Sequence, residues 1–363
     1  MKTYDPYDIR FSRIGNVLYR LYFKSKAFLV IIALAETTKP LLRTLGIIKP
    51  HEYPLVEIFR LRRKNISSRL TQHDIRYLIN MGHRFEEYLG FGLNRNLPID
   101  ADVSYRNNEI FTTVTVYAYR LFTEIKAPYD DLREYQSLVE NYFVNGIEFI
   151  EVDSLMYCSY SRHGDRLVLN AITYVLGVYD DMRLRESEVY RENKTLIDYR
   201  IESLLNTLIS HQNSNGSWPY AVGKPSFVDC LHSAFILEVL LTLKTLKSKK
   251  IKNAIESCFY YLREEHYDLK TGLYYRYPFS YSGFRGFLNR SQVSLYDNVE
   301  MYNILMLAGR KKEATDLRLA IDQEFKEETT LLNTYVFKFN YGKNYLRWGL
   351  VQKHYYYALH EKN

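Results

Sequence analysis

The side chains best suited to moving a proton gather in a few short stretches of this 363-residue chain. Gly216-Ser217-Trp218-Pro219-Tyr220 is followed after eight residues by Asp229-Cys230-Leu231-His232-Ser233-Ala234-Phe235. Tyr296-Asp297 with Glu300, Arg347-Trp348 with Gln352, and Arg162 and Arg166 with Asn170 form the other groups. His232 can act as a base, Arg347 or Arg162 with Asn170 can neutralise a carboxylate, and Tyr220 or Tyr296 can serve as the acid. Together they suit removal of a proton from a carbon next to a carboxyl group, where negative charge must be held as it develops. A second chemistry pairs Asp229 with Asp297 or Glu300 as acid and base for hydrolysis. A third role is binding without turnover, with Trp218 and Trp348 as flat platforms for a polar ring.

Each group also has an ordinary structural reading. His232 can cap or satisfy a buried group, and Asp229 can be a helix-start charge favoured by the dipole. Trp218 after the Asn215-Gly216 turn can be a packing plug, and Cys230 a small core residue. Tyr296, Asp297 and Glu300 exceed what capping alone requires, which favours function for that group.

Helices must position these residues. Amphipathic spacing predicts them at roughly 9–23, 26–45, 66–91, 109–125, 131–149, 166–180, 194–212, 228–247, 250–264, 292–308, 311–326 and 345–360. Gly and Pro number 16 and 9, few breakers for this length, and no stretch alternates like a sustained strand. The aromatic pieces Gly272 to Tyr277 and Thr334 to Phe339 read as hairpin-like loops between helices. From about residue 131 the helices pair with a loose period of roughly 50 to 70 residues, the mark of a repeat architecture. The second helix of each pair starts with a polar cluster. Closure of such hairpins into an (α/α) toroid collects those starts around one central depression, whereas an open solenoid has no reason to reserve polar residues for them. The expectation is an all-α, (α/α)6-like toroid over residues 1–363, with 1–50 as a docking extension of two helices.

Composition narrows the setting. Cys158, Cys230 and Cys258 are too few and too scattered for a disulfide framework, which suits a reducing cytoplasm. The N-terminus lacks a signal-peptide pattern, and the longest apolar run, Ala27 to Ala35, falls well short of the ~20 residues that span a bilayer. The net charge of +7 includes basic clusters at Arg60 to Lys64, Lys244 to Lys252 and Arg310 to Lys312. These read as solvated helix ends and loops, with contact to an acidic glycan or the cytoplasmic leaflet as the alternative. No zinc-finger spacing, HExxH, GxGxxG or Walker segment occurs, so no nucleic-acid partner, metal or cofactor is expected.

Several segments together resemble the helical toroid proteins of bacterial capsule and exopolysaccharide gene clusters. They are Tyr4-Asp5-Pro6-Tyr7-Asp8, Lys39 to Ile47, the Gly216 to Phe235 stretch, Leu295-Tyr296-Asp297-Asn298-Val299-Glu300, and Leu346-Arg347-Trp348-Gly349. The resemblance implies an (α/α) barrel related to polysaccharide lyases, uronyl C5-epimerases and unsaturated-glycan hydrolases, at work in cytosolic polysaccharide assembly. On that basis the proton-abstraction chemistry becomes attack at C5 of a uronate, giving epimerisation or β-elimination. The paired-carboxylate chemistry becomes glycoside hydrolysis, and the binding role becomes that of a glycan-binding scaffold in a membrane-associated synthesis complex. Where an Asn often precedes the His region in such proteins, this chain has Asp229-Cys230-Leu231-His232.

Overall fold

In the computed structural model, the described residues are chiefly 13–25, 45–325 and 346–362. Short stretches near 99–103, 127–130, 162–166, 224–225 and 284–292 fall outside them. Thirteen α-helices lie among the described residues: α1 (Arg13–Lys24), α2 (Pro54–Ile66), α3 (Gln72–Ile79), α4 (Thr112–Glu124), α5 (Leu132–Asn141), α6 (Leu169–Arg185), α7 (Glu188–Glu192), α8 (Lys194–Ser210), α9 (Cys230–Thr242), α10 (Lys249–His266), α11 (Leu295–Leu307), α12 (Lys311–Glu324) and α13 (Trp348–Lys362). Most of the helix expected at 26–45, and the aromatic piece at 334–339, lie outside the described residues.

Six helices form an inner ring. α2, α4, α6, α9, α11 and α13 pack each on the next, and α13 packs back on α2. α3, α5, α8, α10 and α12 each lie on the inner helix that precedes them. The residue types explain the division. In α10 the buried Ile251, Ala254, Cys258, Phe259 and Leu262 recur at helical spacing and leave lysines and glutamates outside. In α9 the run from Ser233 to Leu240 is buried without interruption, because an inner helix has neighbours on every side.

The first hairpin departs from the sequence expectation. No helix was expected at 54–65, where α2 forms, and one was expected at 66–91, where the chain forms the short α3 and then pairs His83–Arg84 with Leu89–Gly90 as antiparallel strands. Pro54 sits at the first turn of α2, where its missing N–H costs nothing. Thr71 and Asp74 form a reciprocal capping box that starts α3. The basic cluster 60–64 is only in part a solvated helix end, with Arg63 exposed in the last turn of α2. Arg60 bonds Glu57 and Asp74, while Arg62 is buried and bonds Glu124. The helix expected at 131–149 stops early: α5 runs into a π-turn at Tyr142–Gly146, and Phe149–Val152 then pairs with Leu155–Cys158. The aromatic piece at 272–277 does enter a hairpin, with Tyr267–Asp268 against Leu273–Tyr274.

The centre of the ring is polar as well as apolar. Arg120 of α4 reaches across to Glu238 of α9 at 2.7 Å and lies over the rings of Tyr117 and Tyr174. Those two tyrosines share a hydrogen bond of 2.7 Å. Arg62 lies 4.4 Å over the ring of Tyr355, and Tyr356 and Gln352 of α13 both donate to Glu300 of α11. Burial opposes the Arg120 charge, and the attraction of Glu238 more than reverses the effect.

This cross-ring pair sets a stability test. Arg120→Leu strands Glu238 in the interior and should cost about 3–5 kcal/mol in urea unfolding. Arg120→Leu combined with Glu238→Leu should recover most of that loss, because no unpaired charge is then left buried.

Candidate functional site

Each outer helix carries the chain back, so the inner helices start at one common rim, where their N-terminal loops interlock. The loop before α9 folds on itself through Tyr220 N–H to the Phe227 carbonyl and touches α6 where Leu169 N–H donates to the Tyr220 carbonyl. The loop after the 267–274 hairpin is tied to α9, since Cys230 N–H donates to the Arg276 carbonyl at 2.9 Å. His266 supports the same loop through Nδ1, 2.9 Å from the Tyr275 carbonyl.

Asp229 is the N-cap of α9, accepting the His232 backbone N–H at 2.8 Å. The same carboxylate lies 2.7 and 2.8 Å from His232 Nδ1. A carboxylate there assigns the proton to Nδ1 and leaves the lone pair on Nε2. His232 keeps 19% of its side chain exposed, while Asp229 beneath it is buried. Tyr220 flanks the imidazole at 4.4 Å between ring centroids, with Phe235 and Phe227 at 6.0 and 6.1 Å. Ring contacts then continue along the rim from Phe235 to Tyr296, Trp348 and Tyr53, joining α9, α11, α13 and the start of α2.

Arg276 completes the support. Its guanidinium grips Asp297 with two donors and lies 3.6 Å from Asp229. Burial disfavours charge on Asp229, yet His232 and then Arg276 hold its carboxyl down at about 2. Such a carboxylate stays ionised and orients the imidazole; it is poorly suited to donate a proton.

The structure sorts the sequence candidates. His232 and Tyr220 meet at the rim as half-buried side chains, and the half-buried Tyr296 joins them through Phe235. Asp229 and Asp297 are buried beneath it, both engaged by Arg276. Glu300 belongs elsewhere: it sits about one turn further along α11, fully buried, where burial and then Glu238 push its carboxyl well above the usual range. Trp218 is a correction too. Only 1% exposed, it donates its indole N–H to the Leu208 carbonyl at 2.9 Å and plugs the outer layer instead of offering a ring face. The adjoining turn needs Gly216, at φ +91°, because a Cβ there would lie 2.2 Å from the Ser257 carbonyl oxygen. Trp348 is buried between Tyr53 and Tyr296, so it shapes the rim from behind. Asn170 is buried at the start of α6, its Oδ1 without a hydrogen-bond partner among the described residues. Arg162 lies outside the described residues, and so does the side chain of Arg347, whose backbone pairs in parallel with Tyr4. Cys230 is core, as its ordinary reading held.

Arg276, Phe227, Tyr277 and Tyr281 were missed by sequence reasoning. Phe227 stacks on Tyr220 at 5.0 Å, Tyr277 meets Phe227 edge-on, and the Tyr281 hydroxyl accepts the Val228 N–H at 2.8 Å. The one signal available was an arginine placed between tyrosines in Tyr275-Arg276-Tyr277.

Solved structures share this architecture. A cellobiose 2-epimerase from Bacillus thermoamylovorans matches with a TM-score of 0.57 at 10% identity, over 87% of this chain and 90% of that one. A D-mannose isomerase matches with 0.53 at 10% identity, over 85% and 87%. A glycoside hydrolase family 76 α-mannanase of Bacteroides thetaiotaomicron matches with 0.51 at 10% identity, over 86% and 87%. At such identity the likeness is one of fold, and it agrees with the closed ring. No family profile matches the sequence, and no curated relative matches it.

The Asp229 pair predicts an acid-dependent loss of stability. A carboxyl held at about 2 in the fold contributes stability that is fully present above its ordinary value of 3.8 and lost as pH falls toward 2. Between those limits the stability advantage of the native chain over Asp229→Asn should shrink by about 2 kcal/mol in urea unfolding.

Proposed function

We propose that this protein acts on a saccharide, removing a proton from a sugar carbon next to a carbonyl or carboxyl group, with His232 as the base. The observation that carries the reading is the His232–Asp229 pair at the rim, which leaves Nε2 as the basic nitrogen among partly exposed aromatic rings. The C–H bond breaks, its proton goes to Nε2, and the electron pair delocalises into the adjacent carbonyl or carboxyl group. Return of a proton to the other face gives an epimer; departure of the substituent at the β-carbon gives an unsaturated sugar. C5 of a uronate is the carbon that suits both outcomes. Tyr220, against the imidazole, or Tyr296, one ring further along the rim beyond Phe235, is assigned the acid role, and Arg347 or Arg162 is assigned to the substrate carboxylate. An epimerase and an isomerase on the same scaffold support this class of chemistry.

Hydrolysis by Asp229 and Asp297 has less support, because Arg276 engages both carboxylates and Asp229 is held ionised. The reading places the chain in cytoplasmic polysaccharide assembly, with an oligosaccharide or polysaccharide as substrate.

Incubation with uronate-containing and neutral oligosaccharides in deuterated buffer tests it, read as deuterium uptake by mass spectrometry and unsaturation by absorbance. His232→Ala should lower uptake by roughly 10²–10⁴-fold, the usual worth of a general base. Uptake that persists in His232→Ala removes the histidine from the reaction. Shorter chains without unsaturation would point to hydrolysis, and binding without chemical change to a scaffold.

A further inference from the structure

The end of the toroid opposite the His232 rim carries charge that the fold itself does not require. The α9–α10 connection leaves the C-terminal end of α9 and therefore lies on that opposite face. Residues 243–255 hold five lysines, Lys244, Lys247, Lys249, Lys250 and Lys252, all exposed, and no acid. Three of them occupy the first turn of the 18-residue α10, behind the Ser248 N-cap. Positive charge is disfavoured there by the helix dipole, and α10 has no acidic residue in that turn to offset it. Breaking a local rule without a compensating contact is the mark of a residue kept for something outside the fold.

Neighbouring connections border the patch. Arg183 at the end of α6 donates to the Thr245 hydroxyl at 2.9 Å and is itself paired with Asp180 and Asp198, 3.7 Å away, so the α6 terminus stands beside the lysine loop with its charge balanced. On the other side Arg310 pairs with Glu256 of α10 and with Glu313. Those acids are thus engaged by Arg310, next to the exposed Lys311 and Lys312 at the start of α12. Leu184 is half exposed beside Arg183, whereas Leu246 in the lysine loop packs against the core.

We infer that this face docks on an anionic lipid bilayer. Lysines are compact point charges that answer a diffuse negative surface, whereas bidentate recognition of single phosphates or carboxylates calls for arginine. Residues 243–255 contain no aromatic side chain, so the loop offers no stacking face to a base or a sugar ring. A cluster of this size just fits the range that binds acidic lipids, and the exposed Leu184 adds apolar contact at the headgroup boundary. Docked this way, the toroid presents its His232 rim to the aqueous phase, so the surface does not depend on which reaction the rim performs.

Co-sedimentation of the full chain with phosphatidylcholine vesicles, and with vesicles carrying about one-third phosphatidylglycerol, tests the inference. The chain should bind only the anionic vesicles and be released at about 0.5 M salt. The combined variant Lys247→Gln, Lys249→Gln, Lys250→Gln and Lys252→Gln should bind on the order of a hundredfold to a thousandfold more weakly. Its circular dichroism should match the parent and its thermal midpoint should equal or exceed it, since all four side chains are exposed and three are removed from a helix start that disfavours positive charge. If that variant fails to fold, protection of residues 244–252 from hydrogen exchange on anionic vesicles supplies the readout with the parent chain. Absence of binding to anionic vesicles, equal binding by the variant, or binding to an acidic polysaccharide alone would overturn the inference.

Discussion

Ring closure is the constraint on which the rest of the structure depends. Helices such as α9 and α11 are buried on nearly every face, and a helix of that kind has nowhere to go unless other elements surround it. The return of α13 onto α2 provides the missing neighbour at the seam, and the outer helices cover what the ring leaves open. Polar contacts across the interior then fix how the inner helices are rotated. Arg120 to Glu238 joins helices that are not neighbours in the ring, and Glu300 gathers donors from α13. Buried charges of this kind specify an arrangement more than they stabilise it, since a misaligned ring would leave each of them unpaired.

Support for His232 is inherited from that arrangement. A single carboxylate, Asp229, ends one loop, caps α9 and orients the imidazole. Its own position is held by Arg276 from the following loop, and Arg276 is in turn held by Asp297 at the start of α11. The geometry of the base is thus set by two adjacent inner helices and the loop between them. Neither the loop nor either helix could supply it alone, which is why the buried pair and the closed ring are parts of one structure. The two ends of the toroid are chemically distinct as a result. Helix starts bring aromatic rings and oriented backbone N–H groups to the rim, and the connections at the far end carry the excess lysine.

What the chain by itself determined was the material of the fold and a few of its rim residues, Tyr220, His232 and Tyr296. Few glycines and prolines, repeated hairpin spacing and polar clusters at helix starts were enough for an (α/α) toroid, because each is a local property of sequence. Asp229 and His232 were visible as a pair for the same reason: residues three apart at a helix start are held together by helix geometry alone. The number of hairpins was not visible, because the spacing at 66–91 runs on past the Thr71 capping box that starts α3, and α2, begun by Pro54, lies before it and was not expected.

Tertiary structure decided the rest, and the reason is distance in sequence. Trp218 and Tyr220 are two residues apart, yet one is sealed under the outer layer and the other flanks the histidine; only the packing of α8 and α10 around the Gly216 turn separates them. Asp297 and Glu300 share one helix start, but a single turn of α11 carries Glu300 from the rim supports into the buried interior. Arg62 looked like a surface cation until a partner 62 residues away, Glu124, was folded against it. Arg276 carried only a faint local signal, its place between two tyrosines, since its meaning lies in two carboxylates that reach it only when α9 and α11 stand side by side. Periodicity records which face of an element is covered, but which charges end up facing one another depends on how the ring closes.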